Sequence, residues 1–371
     1  MYNFSEINIL FIAPLPPPID GQSKASKAVY DILVNRNNKI FTIDLRKKKL
    51  KNPFVPIIRI WEIISVLFRV SINKKKKDII YVSLAESFFG NLRDLCIYLI
   101  CYKQNKKIFI HMLGGAGMKT ILEKDDYFSK LNKFFLKRIG GVIVEGPLNY
   151  EMYSKIISTE KIHIVPNFAE EFLIVSDEEI NNKFNDLDLL KIVYLSNLLP
   201  GKGYNELADA YISLNGNLRK HIEITFVGGF ESTKSENDFL LKIKEYNNIK
   251  YIGKFIDGVN KRKLFCESHI FCLPTYYPFE GQPISILEAY ATGCAVITTY
   301  HSGIPFIFSD KVNGLVVEGK SVSNLKSTIE VMFENKESLK QFAFNNRDQV
   351  ISKFRMASFQ DSIIKLFNSV I

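Results

Sequence analysis

Two periods of apolar spacing alternate along this chain. The segments Ile7 to Ala13, Lys39 to Asp44, Asp78 to Ser83, Lys107 to Leu113, Gly141 to Glu145 and Ile162 to Val165 are short and mostly apolar, as strands buried on both faces of a parallel sheet must be. Between them apolar residues step by three and four, starting with a helix from about Ser23 to Val34 behind a proline-rich turn. A polar stretch, Ser176 to Asp188 (SDEEINNKFNDLD), breaks the alternation, and the interdomain linker is expected just before or within it. The pattern then restarts, with strands at Lys191 to Ser196, His221 to Val227, Ile249 to Ile252, Ile270 to Leu273, Ala295 to Thr299 and Leu315 to Val317. From about Ser321 to Ile371 the spacing is helical throughout, and Phe354, Phe359, Ile363 and Phe367 are among its apolar positions. The pattern predicts an α/β protein of two doubly wound, Rossmann-like domains, residues 1–175 and 176–350. A terminal helix over 351–371 is free to pack back on either domain.

Length agrees with that division, since 371 residues exceed one ordinary core and suit two domains of roughly 170 to 190 residues. With 47% apolar and 24% charged residues the composition is that of a globular, soluble chain. The formal charge of +10 favours anionic partners, which leaves phosphates, acidic lipids and nucleic acid to be separated by motif. No aromatic-basic motif supports nucleic acid. Cys96, Cys101, Cys266, Cys272 and Cys294 form no CxxC pair, so reduced thiols in a cytosolic protein are expected rather than zinc ligands or disulfides. The start MYNFSEINILFIAPLPPP has no basic region ahead of its short apolar run and does not read as a signal peptide.

Pro53 to Ile72 is apolar enough to suggest a membrane span, but Arg59, Glu62 and Arg69 interrupt it. At about 100° per residue these three fall with Ser65 and Asn73 on one stripe, opposite a broad apolar face that includes Trp61 and Phe68. Two readings follow: an ordinary buried helix of the first domain, or a helix whose apolar face, with the Lys47 to Lys49 and Lys74 to Lys77 clusters, touches an anionic membrane surface.

Candidate chemistry concentrates in the second half. In FEGQPISILEA, Glu280 precedes a predicted helix and Glu288 lies within it, with Pro283 suited to the first turn. Amides of Gly281, Gln282 and Ile284 at that helix start suit an anionic group, while the two carboxylates accept hydrogen bonds from hydroxyls; diphosphate plus polyol describes a nucleotide sugar. NLLPGKGY places Lys202 between Gly201 and Gly203 in a tight turn after a strand, where a compact cation suits a pyrophosphate. FVGGF ends another strand at Gly228, and PPPIDGQS puts Gly21 after the first strand; each is either a simple turn or a place of close approach to phosphate. His111, in IFIHMLGG, lies near the C-terminal end of a strand, the end at which open α/β sheets bind ligands.

Taken together, LSNLLPGKGY, FVGG, FEGQPISILEAYATGCAVITT and HSGIPFIFSDKVNGLVV resemble the retaining glycosyltransferases of family 4, across about Lys191 to Glu318. In the first half the resemblance rests on strand alternation, the Gly21 loop and IFIHMLGG. It implies a GT-B fold of two Rossmann-like domains with a cleft between them, the first binding the acceptor and the second the nucleotide sugar. It assigns Glu280 to the transferred sugar near the reacting centre, Glu288 to the nucleotide ribose and Lys202 to the leaving diphosphate. His111, two residues before the place of the family's first-domain histidine and on the same strand face, is the candidate for its role, with Gly21, Asn197, Gly228 and Phe255 expected around the donor. Two positions depart from the family pattern: Asn197 stands where an arginine is common, and Leu113 where the histidine usually sits.

The reaction so implied is transfer of a hexose-type sugar, with retention, from a nucleotide-diphosphate sugar to a hydroxyl of a saccharide or lipid-linked saccharide acceptor. Bacterial surface polysaccharide biosynthesis at the cytoplasmic membrane face is the expected setting. Neither a metal nor another cofactor is expected, since no Asp-x-Asp motif is suitably placed. A nucleotide-sugar epimerase of the same architecture, and a degenerate partner subunit that binds without turnover, are the competing readings.

Overall fold

A computed structural model describes residues 7–46, 55–253, 256 and 258–369. The chain forms two compact units, one comprising the residues up to Pro166 together with those from Phe359 onward, the other Asn167–Ser358. The division therefore falls before the predicted linker. Ser176 to Asp188 instead contains a helix, Asp177–Lys183, whose Ser176 cap and Glu179 form a reciprocal capping box.

The first unit is a six-stranded parallel sheet of β1 (Asn8–Ala13), β2 (Lys39–Asp44), β3 (Ile79–Ser83), β4 (Ile108–Met112), β5 (Gly141–Val144) and β6 (Ile162–Ile164), ordered β2-β1-β3-β4-β5-β6. Every residue of β3, β4 and β5 is buried, which explains their near-continuous apolar sequence. One face carries an aromatic row across three strands. Tyr30 meets Phe11 edge-on, Phe11 stacks on Tyr81 at 4.7 Å, and Tyr81 meets the His111 ring. Helix Gly21–Val34 supplies Tyr30, and the last helix, Met356–Asn368, adds Phe367 against Phe109. The opposite face packs Ile80, Val82, Ile110 and Val142 under helices that include Phe88–Ile100 and Tyr127–Leu136.

The helix Val55–Asn73 lies alongside Phe88–Ile100, and it corrects the expectation of an ordinary buried helix. Ile60, Trp61, Ile64, Phe68 and Ile72 face outward and are exposed, whereas Arg59, Glu62, Arg69 and Asn73 are half-buried. Arg69 donates to the Thr42 carbonyl and Arg59 pairs with Glu62, so contacts within the chain satisfy the polar stripe. Pro53 and the Lys47 to Lys49 cluster lie outside the described residues. No helix among the described residues is long and apolar enough to cross a membrane.

The second unit is also a six-stranded parallel sheet: β7 (Leu190–Leu195), β8 (Ile222–Val227), β9 (Ile249–Tyr251), β10 (Ile270–Leu273), β11 (Ala295–Thr298) and β12 (Gly314–Val316), ordered β12-β11-β10-β7-β8-β9. The helical tail resolves into Val322–Glu334, Lys336–Gln349 and Met356–Asn368, with a single π-turn over Val350–Phe354. All five cysteines are free thiols; Cys101, Cys272 and Cys294 are buried, and burial pushes the Cys101 thiol up to about 11.

Candidate active site

Strands β7 and β10 are neighbours from which the chain proceeds in opposite directions across the second sheet. Their C-terminal ends thus form the switch point at which open α/β sheets take ligands. Lys202 leaves β7 in one loop, Glu280 leaves β10 in another, and they meet there. Lys202 Nζ donates to Glu280 Oε1 at 2.9 Å and Oε2 at 2.8 Å, and the Thr275 hydroxyl donates to Oε2 at 2.7 Å. The ammonium also lies 4.8 Å from the centre of the Tyr277 ring. With the two side chains only 13% and 7% exposed, the pair is largely desolvated, and each charge depends on the other.

Backbone contacts fix this meeting. Tyr276 N donates to the Gly201 carbonyl at 2.7 Å, stitching one loop to the other. Gly203 caps the helix Tyr204–Ile212 with φ +81°, and a Cβ there would lie 2.4 Å from the Pro274 carbonyl oxygen, so no side chain fits. A third loop, after β11, supports the Glu280 segment from behind: His301 Nε2 lies 2.8 Å from the Tyr277 carbonyl, and Ser302 Oγ donates to the Glu280 carbonyl at 2.5 Å.

The helix after Glu280 runs from Ile284 to Ala291, with Pro283 at its N-cap, one residue earlier than the first-turn position expected from sequence. Its first amides have no partner within the helix by geometry, which suits an anion beside Glu280. Ile284 is buried behind them. The Gln282 side chain is engaged, its Oε1 accepting from Asn167 N at 2.9 Å, while its carbonyl accepts from Asn167 Nδ2 at 2.8 Å. Glu288, 4% exposed, binds Lys261 Nζ at 2.6 Å, and Lys261 reaches Glu170 Oε2 at 3.4 Å.

Other residues singled out from sequence stand as follows. Asn197 is exposed, and its carbonyl accepts from Leu199 N at 3.0 Å. Gly228, at φ +144°, lies so close to Ser196 that a Cβ would meet its carbonyl oxygen at 1.8 Å, a packing requirement independent of any ligand. Phe255 lies outside the described residues. In the first unit, Gly21 opens its helix behind the Asp20 and Ser23 capping box, and a Cβ added there would meet nothing within 4 Å. Gln22 beside it donates to Ser83 Oγ at 2.9 Å, bridging the ends of β1 and β3 at that sheet's own switch point.

His111 is fully buried. Its Nδ1 lies 2.6 Å from Tyr81 OH, its Nε2 has no hydrogen-bond partner among the described residues, and burial lowers its pKa to about 3. The ring is therefore a neutral part of the aromatic row, out of reach of a ligand in this conformation. Against the loop that follows His111 lies a group the sequence reading missed, Glu86, whose Oε2 accepts from Gly117 N at 3.1 Å and whose pKa burial raises to about 7. Gly114, at φ +126°, leaves the space this carboxylate fills, since a Cβ would lie 2.0 Å from Glu86 Oε1. Lys261, Thr275 and Ser302 were also missed. Only Thr275, five residues before Glu280 at a strand end, offered a local signal.

Residues 175–349 match the model of the family described as glycosyl transferases group 1. The matched segment contains Lys202, Lys261, Glu280 and Glu288 and most of the second unit. The chain is 23% identical over 338 residues to an uncharacterized glycosyltransferase, MJ1069, of Methanocaldococcus jannaschii, covering 86% of this chain and 82% of that protein. Over 182 residues it is 26% identical to the N,N'-diacetylbacillosaminyl-diphospho-undecaprenol alpha-1,3-N-acetylgalactosaminyltransferase of Campylobacter jejuni, covering 48% of this chain and 45% of that one. Anabaena Alr3699/HepE, solved in complex with UDP-glucose, shares the fold with a TM-score of 0.73 over 98% of this chain and 100% of that one, at 15% identity. The fold class is thus the GT-B class of two Rossmann-like domains, and over residues 175–349 the chain is similar to the glycosyl transferases of group 1.

Proposed function

We propose that the chain is a retaining glycosyltransferase of the family 4 type, moving a hexose-type sugar from a nucleotide-diphosphate sugar to a hydroxyl of a saccharide or lipid-linked saccharide. The observation that carries this reading is the Lys202–Glu280 pair at the β7/β10 switch point, beside a helix start. A diphosphate docked on the first amides of Ile284–Ala291 draws Lys202 from Glu280, and the released carboxylate accepts hydrogen bonds from hydroxyls of the transferred sugar. Glu288 accepts from the ribose, with Lys261 holding its charge in balance. In the transfer, the bond from the anomeric carbon to the diphosphate oxygen breaks with its electron pair on the diphosphate. The acceptor oxygen bonds that carbon from the same face, and the acceptor proton passes to the departing phosphate. Lys202 and the helix amides stabilise the charge that develops on the leaving group.

His111 enters this reading as a positioning residue beneath the acceptor side, since its ring is enclosed. The relative from Campylobacter jejuni, named for a lipid-linked saccharide substrate, supports the acceptor class, and the Anabaena complex with UDP-glucose supports the donor class. Bacterial surface polysaccharide biosynthesis is the setting that joins them, and the reaction is assigned to protein groups with no metal.

The test is incubation of the purified chain with a panel of nucleotide sugars, with and without lipid-linked acceptors. Donor-dependent transfer with the α or β configuration preserved is expected. Conversion of the donor alone to a second nucleotide sugar would instead favour an epimerase, and donor binding with no turnover a partner subunit. A chain whose melting temperature responds to no nucleotide diphosphate would falsify every sugar-nucleotide reading.

A further inference from the structure

Two adjacent helices of the first unit turn apolar faces to the outside. On Val55–Asn73, Ile60, Ile64, Phe68 and Ile72 follow one another at four-residue steps with Trp61 beside them, and Trp61 and Phe68 are 66% and 64% exposed. On Phe88–Ile100, Phe88, Phe89, Leu92 and Leu99 form the corresponding outer row, with Phe89 71% exposed. Scattered apolar residues on a surface need no explanation, but two contiguous rows on neighbouring helices mark an interaction site. The polar stripe of the first helix is no alternative outer face, because it is turned partly inward and its arginines are engaged within the chain.

Charge at one end of these rows indicates the occupant. Lys74 to Lys77 follow the first helix and Lys103, Lys106 and Lys107 follow the second. The two clusters are neighbours: Lys107 Nζ donates to the Lys77 carbonyl at 2.7 Å, and Lys74 Nζ to the Ile100 carbonyl. Seven lysines therefore gather where both helices end, and the acid that follows them, Asp78, accepts from Asn8 N at 2.8 Å. An apolar surface bordered by cations of a single sign fits a partner that is hydrocarbon beneath and anionic at its boundary. A lipid surface also imposes no shape on the side chains that enter it, and the rows stand on the convex sides of helices. The aromatic residues Trp61 and Tyr102 belong at the interface depth, and the lysine stems can lie along the apolar rows with their ammonium groups on headgroup phosphates.

We propose that this face, centred on Ile60, Trp61, Ile64, Phe68, Phe89 and Leu99 with the Lys74–Lys77 and Lys103–Lys107 rim, seats the chain on an anionic phospholipid surface. The inference stands on the first unit alone. It adds to the proposed transfer only the place where a lipid-linked acceptor is met.

Trp61 is the chain's one tryptophan, so its emission reports on this face directly. The full chain is titrated with vesicles of phosphatidylglycerol mixed with phosphatidylcholine, and with vesicles of phosphatidylcholine alone, and flotation is measured in parallel. Expected are a blue shift and co-flotation with the anionic vesicles, both much reduced at about 1 M salt, where the screening length shrinks to about 3 Å. Phe68→Glu and, separately, the double variant Lys75→Glu with Lys76→Glu should each weaken binding at least about tenfold while leaving the melting temperature close to that of the parent, since all three positions are exposed.

Absence of binding to both vesicle types overturns the proposal, as does equal binding to both. A blue shift that grows with protein concentration without lipid also overturns it, because a second copy of the chain then covers the face. Thermal response to nucleotide diphosphates, measured on the same preparations, separates failure of this inference from failure of the transferase reading.

Discussion

Lys202 and Glu280 neutralise each other where little water reaches, so removing one leaves the other as a buried, uncompensated charge. Lys202→Met should destabilise the second unit by about 3 kcal/mol, and adding Glu280→Gln should recover much of that loss, a coupling read from urea unfolding of both single variants and the double variant. Activity should not recover with stability. Glu280→Gln alone is expected to lower turnover by about a hundredfold to a thousandfold, read from steady-state transfer rates. Glu86 poses the reverse problem, since the fold prefers its protonated form. Its ordinary value near 4.5 is raised to about 7, so its stabilising contribution is complete below about pH 4.5 and lost as pH rises through 7. Glu86→Gln should therefore come within about 1 kcal/mol of the parent at pH 5 and exceed it by about 1 to 3 kcal/mol more at pH 8, measured by denaturant unfolding at the two pH values.

At the scale of elements, the loops at the β7/β10 switch point depend on close backbone approach. Gly203→Ala should cost about 1 to 3 kcal/mol, combining a left-handed backbone with a clash against the Pro274 carbonyl, and thermal unfolding measures it. The central strands were legible in sequence because they are buried on both faces, and a continuous apolar run between turn residues has few other uses. The glutamates were legible too, because a local run fixes their relation to one helix. Lys261 was not, since its role as partner to Glu288 is set by how Gly258–Cys266 packs on the sheet, and one lysine in NKRKLF looks like the next. The helix Val55–Asn73 shows the limit from another side. Its period gave an apolar face and a polar stripe, but which of them met the unit was decided by partners elsewhere, among them the Thr42 carbonyl that receives Arg69. Enclosure of His111 escaped for the same reason, because a strand end reads alike whether the edge above it is open or closed.

At the scale of the molecule, the second unit is built from one continuous stretch, whereas the first takes its last helix from the far end of the chain. Phe367, fully buried against Phe109, belongs to that helix. Phe367→Ala should destabilise the first unit by about 3 to 5 kcal/mol. Amide hydrogen exchange should quicken in β3 and β4 and stay unchanged in β7 and β10, a pattern that sequence distance alone would predict the other way round. The same arrangement sets an order on the ribosome. Strands β1 to β6 leave the exit tunnel early, yet Phe109 lacks its cover until the helix Met356–Asn368 is made, by which time the second unit has had its full length in which to fold. A nascent chain thus holds an unfinished first sheet for as long as the whole second unit is being made, and a stop near Ser358 releases a product with one whole unit and one that chaperones or proteases must deal with.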